Sequence, residues 1–186
     1  SCKPVSTPLV LNEKLSKDDG TDMADSSVYR SLIGNLLYLT ATRPDLIYSA
    51  SLLSGFMQSP SKIHFGTVKR VLRYVRRTTH LGIWFRSNAK EDLTGLIELK
   101  GYLDSDWGGS VDDMKRISRY CFCFNSGVFS WNHSIKEAEK NGDVSPLHCK
   151  SKDQLAGIFT KCLPKNKFEG LRSKLGVSSI KLKEEC

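Results

Sequence analysis

No stretch of this sequence approaches about 18 uninterrupted apolar residues, the length needed to cross a bilayer, and its N-terminus SCKPVSTPLV has no basic leader followed by a long apolar run. These absences argue against export and membrane insertion. They predict an intracellular chain, cytoplasmic or nuclear, with no membrane partner. The opening Ser in place of Met points to a fragment of something longer or to a processed product. Cys-x-x-Cys spacing is also missing among the six cysteines, Cys2, Cys121, Cys123, Cys149, Cys162 and Cys186. Cys121 and Cys123 fall on one strand face, an orientation poor for pairing with each other, so thiols are expected rather than a disulfide or zinc framework. His64, His80, His133 and His148 share no metal spacing and are expected to be surface or hydrogen-bonded side chains.

Negative charge is absent from one long window. Between Leu46 and Lys90 there is no Asp or Glu, against eight basic residues: Lys62, Lys69, Arg70, Arg73, Arg76, Arg77, Arg86 and Lys90. The net charge of +8 arises wholly there, because the other 20 Lys and Arg are matched by 20 Asp and Glu. A positive field so concentrated favours a polyanion, nucleic acid or an anionic surface.

At 186 residues the chain is long enough for one domain or two small ones, burying roughly 70% of its unfolded surface. Residues 1–24, with two prolines and few large apolar groups, read as an extended lead-in. Asp25 and Ser26 can cap a helix through about Thr42, with Val28, Leu32, Leu36 and Leu39 as its stripe and Ile33 and Leu37 widening it. Pro44 suits the first turn of a second helix that Ser59-Pro60 should stop. Ser61 can cap a third through about Thr78, buried along Phe65, Val68, Leu72 and Val75. Strand patterns follow at 82–86, 96–104, 119–125 and 127–133, then a short edge strand near Pro146 and helical runs at 152–163 and 166–176. The expected architecture is α+β: an extended lead-in (1–24), a three-helix basic module (25–90), and a sheet with C-terminal helices (91–186), joined near residues 87–94.

Two features carry chemistry. On the third helix Lys69, Arg73, Arg76 and Arg77 group beside the apolar stripe, with Arg70 further round, and no acid within the helix balances them. A cationic face of this kind contacts phosphates without reading bases. The stretch GYLDSDWGG places Asp104 and Asp106 two apart on one face of an expected strand, about 6.7 Å from each other along it. Alone, such a pair makes a loose, hydrated magnesium site at best.

Read in order, CKPVSTPL, YRSLIGNLLYLTATRPDLIYSASLLSGFM, HFGTVKRVLRYVRRT, GYLDSDWGG, RYCFCF, FSWN, DQLAGIFTK and FEGLRSKLGV resemble the Pol polyprotein of copia-type retrotransposons over nearly the whole chain. The resemblance implies that residues 25–90 are similar to the thumb and connection of reverse transcriptase and residues 91–186 to an incomplete ribonuclease H domain with a mixed sheet. Its polymerase motif, Tyr-x-Asp-Asp, is absent, and Ser110-Val111-Asp112-Asp113 lacks the aromatic lead.

Ribonuclease H chemistry needs two divalent ions roughly 3.5–4 Å apart inside converging carboxylates. By resemblance Asp104 is the first of these. The third would come from a Cys-Asp-Asn strand that this sequence lacks, and the fourth would follow Gln-Leu-Ala, where Gly157 stands. Glu137-Ala138-Glu139 spells the family's helix motif, with Glu139 in the ligand place. Yet the Ser/Thr lead-in and the following Tyr are missing, and an internal loss between Lys136 and about Lys140 would remove two helices and a strand. The family's Lys-Ser-Thr-Ser-Gly-Tyr segment reads here Lys115-Arg116-Ile117-Ser118-Arg119-Tyr120, leaving Lys115 as either a phosphate contact or a solvated loop residue.

The resulting expectation is a catalytically inactive Pol remnant that binds RNA, DNA or RNA:DNA hybrid non-specifically through Lys69, Arg70, Arg73, Arg76 and Arg77. Asp104 remains as an insufficient catalytic residue, no metal site is predicted, and magnesium matters only if ribonuclease H activity survives. Two alternatives stand beside it: a residual magnesium-dependent ribonuclease H, and a secreted effector-like protein, since Arg70-Val71-Leu72-Arg73 fits an Arg-x-Leu-Arg motif.

Overall fold

The computed structural model describes residues 3–85, 99–106, 117–124, 127–133, 148–151 and 153–179. Helix α1 (Ser26–Leu39) starts where Asp25 accepts from the amides of Ser27 and Val28. A 3-10 turn at Pro44–Leu46 leads into α2 (Ile47–Ser54), and α3 (Lys62–Arg77) follows. Strands β1 (Gly82–Ile83), β2 (Leu99–Asp106), β3 (Ile117–Phe124) and β4 (Gly127–His133) precede a 3-10 turn at Leu155–Phe159, α4 (Lys165–Lys174) and β5 (Val177–Ser178).

Strands β2, β3 and β4 form an antiparallel meander, and β1 pairs with β5, also antiparallel. The α+β class is therefore observed, whereas the expected mixed sheet is not: every strand pair among the described residues is antiparallel. The C-terminal helical run at 152–163 is also corrected, since its described residues contain only the 3-10 turn, and β5 was not anticipated. Gly176 takes φ 83° just past α4, a left-handed position that favours glycine, and turns the chain into β5. The predicted joint near 87–94, Ser110–Asp113, Lys115 and Glu139 lie outside the described residues. So does Val144–Pro146 of the expected edge strand, while His148–Lys150 is not strand.

The buried faces of α1 and α3 are rotated from the expected stripes. In α1 the buried residues are Tyr29, Ile33 and Leu36, and Val28 and Leu37 are exposed. In α3 they are His64, Thr67, Val68, Val71 and Tyr74, with Phe65, Leu72 and Val75 only half-buried. The cause is that the inward polar side chains find partners. The Tyr29 hydroxyl donates to Leu53 O at 2.8 Å, and Thr67 donates to Ile63 O at 3.2 Å. His64 closes a reciprocal cap: Ser61 N donates to its Nδ1 at 3.0 Å and its own amide donates to Ser61 Oγ at 3.2 Å. Its Nε2 lies 3.0 Å from Ser16 O, and its ring stacks on Phe56.

A buried ion network joins these elements. Arg43 Nε and Nη2 donate to both carboxylate oxygens of Asp45 at 2.9 and 2.8 Å, while Nη1 and Nη2 reach Thr78 O and Oγ1 at 2.9 and 2.8 Å. The Tyr74 hydroxyl donates to Asp45 Oδ2 at 2.5 Å and accepts from Arg172 Nη1 at 3.0 Å. Burial lowers the Arg43 pKa, but Asp45 more than offsets it and holds the guanidinium above its usual value. Burial, and then the neighbouring Asp45 carboxylate, push the Tyr74 hydroxyl up. Around this network the buried residues of the helices, of β3 and β4, and of the C-terminal segment form one apolar cluster.

Among the described residues Cys121, Cys123, Cys149 and Cys162 are all free. The contact with Cys123, reinforced by burial, raises the Cys121 thiol, and the same contact lowers Cys123. Burial lifts Cys162 to about 11.

Removing one partner of a buried pair leaves an uncompensated charge, so Asp45→Ala should cost about 3–5 kcal/mol in urea unfolding. Tyr74→Phe, which keeps the ring, should cost less, about 1–3 kcal/mol. A second expectation concerns acid. The Ser61 hydroxyl, with Thr21 assisting, lowers the Asp19 carboxyl from 3.8 to about 2. A depressed acid contributes stability above its unfolded pKa and loses it as pH falls through the folded one. Thermal stability should therefore drop between about pH 4 and pH 2, and Asp19→Asn should flatten that segment of the profile.

Candidate nucleic-acid interface and carboxylate site

Helix α3 carries all five basic residues singled out from the sequence. Lys69, Arg76 and Arg77 are exposed, and Arg70 and Arg73 are half-buried. The last two are fixed by their surroundings more than by partners. Arg70 Nη2 donates to Thr7 Oγ1 at 3.3 Å, tying the N-terminal segment to the helix, and the buried Nε atoms of Arg70 and Arg73 have no hydrogen-bond partner. Lys69 Nζ sits 4.6 Å from the Phe65 ring centroid, a cation–π contact that keeps its ammonium on the surface. Arg73, Arg76 and Arg77 converge with Pro4 on an open depression of about 240 Å³. Among the described residues no acidic side chain lines it. Arg76 and Arg77 also occupy the last turn of α3, where they complement the negative end of the helix dipole.

The second site lies on β2. Asp104 Oδ2 accepts the Thr160 hydroxyl at 2.5 Å and pairs with Lys161 Nζ at 2.9 Å. The 3-10 turn Leu155–Phe159 brings these residues up to the sheet, and Gln154 Nε2 anchors it by donating to Leu103 O at 2.9 Å. A Cβ built on Gly157 would stand 3.8 Å from Asp104 Oδ2 and 3.3 Å from Lys161 Cε, so residue 157 faces Asp104 and offers it nothing. In the β2–β3 register Arg119 lies directly opposite Asp104, 5% exposed, with Nη2 donating to Ser51 Oγ at 2.7 Å. Burial lowers the Arg119 pKa. Asp106 ends β2 opposite Ile117. Among the described residues no three His, Cys, Asp or Glu cluster as metal ligands.

The two sites are built independently, one from a helix face and one from a strand paired to the C-terminal segment. Sequence reasoning anticipated the cations on α3 and singled out Asp104. It did not anticipate Thr160 and Lys161 as Asp104's partners, nor the Arg43–Asp45–Tyr74–Arg172 network, and no local spacing signals either contact.

Comparison with known proteins supplies the context. The chain is 36% identical over 132 residues to "Retrovirus-related Pol polyprotein from transposon RE2" of Arabidopsis thaliana, covering 71% of this chain and 9% of that protein. It is 35% identical over 145 residues to the corresponding polyprotein from transposon TNT 1-94 of Nicotiana tabacum, covering 74% of this chain and 10% of the relative. The chain belongs to the copia-type retrotransposon Pol family. It spans about a tenth of the length of these Pol polyproteins.

A further relative is "Secreted RxLR effector protein 161" of Plasmopara viticola, 38% identical over 104 residues, covering 55% of this chain and 69% of that one. In the present structure Arg70-Val71-Leu72-Arg73 lies inside α3, with Val71 fully buried and Leu72 packed against the core. No family model matches the chain, and no solved structure does. Among the described residues no helix is long and apolar enough to cross a membrane.

Proposed function

We propose that this chain is a catalytically inactive remnant of the Pol C-terminal region, a helical thumb/connection-like module and an incomplete ribonuclease H-like domain, whose retained property is non-specific binding of RNA, DNA or RNA:DNA hybrid. The observation that carries the binding claim is the depression formed by Arg73, Arg76, Arg77 and Pro4, on a helix without a single acidic residue. Lys69 and Arg70 extend the cationic face toward the middle of the helix. Arginine forks suit phosphate oxygens in pairs. A face of cations contacts phosphates rather than base edges, so the expected affinity is electrostatic and independent of sequence.

The inactive assignment rests on the carboxylate site. Two-metal hydrolysis of a phosphodiester requires several acids converging on paired ions. Asp104 is held by Thr160 and Lys161, and Gly157 faces it without a side chain. The residues described here therefore do not fit a pair of magnesium ions.

Affinity for an RNA:DNA hybrid should fall by about 0.9 log unit per log unit of salt for each phosphate contacted. Arg73→Glu and Arg76→Glu should each weaken binding for all sequences alike and lower that slope by about 1. Unchanged affinity in both variants would remove α3 as the contact. Incubated with magnesium, the wild-type protein should leave the hybrid intact. Cleavage that Asp104→Asn abolishes would reverse the inactive assignment.

A further inference from the structure

The carboxylate that resemblance assigns to metal is engaged by protein groups. Asp104 Oδ2 is shared by the Thr160 hydroxyl and the Lys161 ammonium, and the Asp104 side chain is only 13% exposed against 37% for Lys161. Opposite it on β3 stands the buried Arg119. Among the described side chains here, one carboxylate stands between two cationic residues. A divalent ion binding Oδ2 would compete with the ammonium for that oxygen and sit beside Arg119, with no second carboxylate among the described side chains. Hard cations need several oxygen ligands, and like charges at such range repel.

The bonds that close the carboxylate also tie two distant parts of the chain together. Gln154 bonds to Leu103 O, and Thr160 and Lys161 bond to the next residue, Asp104. Between them the turn Leu155–Phe159 is buried, and α4 with its Arg172 contact to Tyr74 follows directly. Gly157 fits this arrangement: its backbone is not in the left-handed region, so no conformational demand fixes glycine there, and a larger side chain would meet the Lys161 stem first.

We infer that Lys161 is a tethered cation standing where a divalent ion would have to sit, so that Asp104 serves as an ionic latch between β2 and the C-terminal segment and is closed to metal. The inference deepens the inactive-remnant reading and rests on it only for the comparison with a metal site. Its corollary is a latent divalent-cation site, opened when Lys161 loses its charge and residue 157 supplies a second carboxylate.

The test uses the full chain, manganese(II) as the probe, melting temperature and manganese EPR as readouts, and circular dichroism to verify folding of each variant. The wild type should show no change in melting temperature with about 10 mM manganese, and no bound manganese beyond that of Asp104→Asn. Lys161→Met should lower the melting temperature by about 2–4 °C, and adding Asp104→Asn should lower it little further, because the two residues act on one contact. Lys161→Gln, which keeps length and polarity, is carried in parallel as the milder variant. Gly157→Asp/Lys161→Met, or Gly157→Asp/Lys161→Gln if only that pair folds, should gain saturable manganese binding that Asp104→Asn removes. Asp104-dependent manganese binding by the wild type, additive effects of Asp104→Asn and Lys161→Met, or no manganese bound by the folded double variant would each overturn the inference. None of these readouts involves nucleic acid, so failure of the latch and failure of phosphate binding by α3 are separately visible.

Discussion

The Arg43–Asp45 pair is the constraint on which the helical architecture depends. A guanidinium and a carboxylate two residues apart, both nearly excluded from solvent, are tolerable only when every charged atom has a partner. Meeting that demand draws in Tyr74 from α3, Thr78 at its C-terminal cap and Arg172 from α4. The intervening Pro44 fixes its own φ and opens the 3-10 turn, placing both charges on the same side of a short turn. A hydrophobic substitute would fill the volume but would not dictate which face of α3 turns inward. The network does, because Tyr74 must reach Asp45 and Thr78 must cap the guanidinium.

That choice of face decides what the surface of α3 can do. With Tyr74, Val71 and His64 inward, Arg73, Arg76 and Arg77 are left around the rim and Lys69 outward. The protein thus sorts its arginines by environment. Arg43, Arg119 and Arg172 donate to protein acceptors and serve the fold. Arg73, Arg76 and Arg77 share a depression in which no acid stands among the described residues, and they are the cations to which the proposed polyanion binding is assigned. The same sorting separates the acids, since Asp45 neutralises a buried arginine and Asp104 a lysine of the C-terminal segment.

Much of this was legible in the sequence where local rules govern. Asp25 and Ser61 marked the starts of α1 and α3, alternation marked β2 to β4, and the missing acids marked the charged window. The phase of the helical stripes was misread because Tyr29, His64, Thr67 and Tyr74 count as polar by composition, yet each is buried by a hydrogen bond that only the fold supplies. Strand β5 escaped because two residues carry no periodicity and its partner β1 lies far back in the chain. Lys161 escaped for a related reason: it meets Asp104 across 57 positions, and no spacing rule links residues joined by a fold rather than by a helix or hairpin.

The sheet adds a last consideration. Its inward face holds Cys121, Cys123 and Val128 against the helices and the C-terminal turn, while its other face keeps Leu99, Leu103, Phe124 and Phe129 between 39% and 57% exposed. Phe124 and Phe129 stack on each other at 4.0 Å, and Phe122 lies over Gly101, so the aromatic groups cover one another in part. Self-coverage of this kind reduces the apolar area presented to water without restoring a second layer. A three-stranded sheet buried on one side depends heavily on whatever grips that side. The latch at Asp104 and the anchor at Gln154 are two of those grips, which is how this carboxylate helps to hold the strand that carries it.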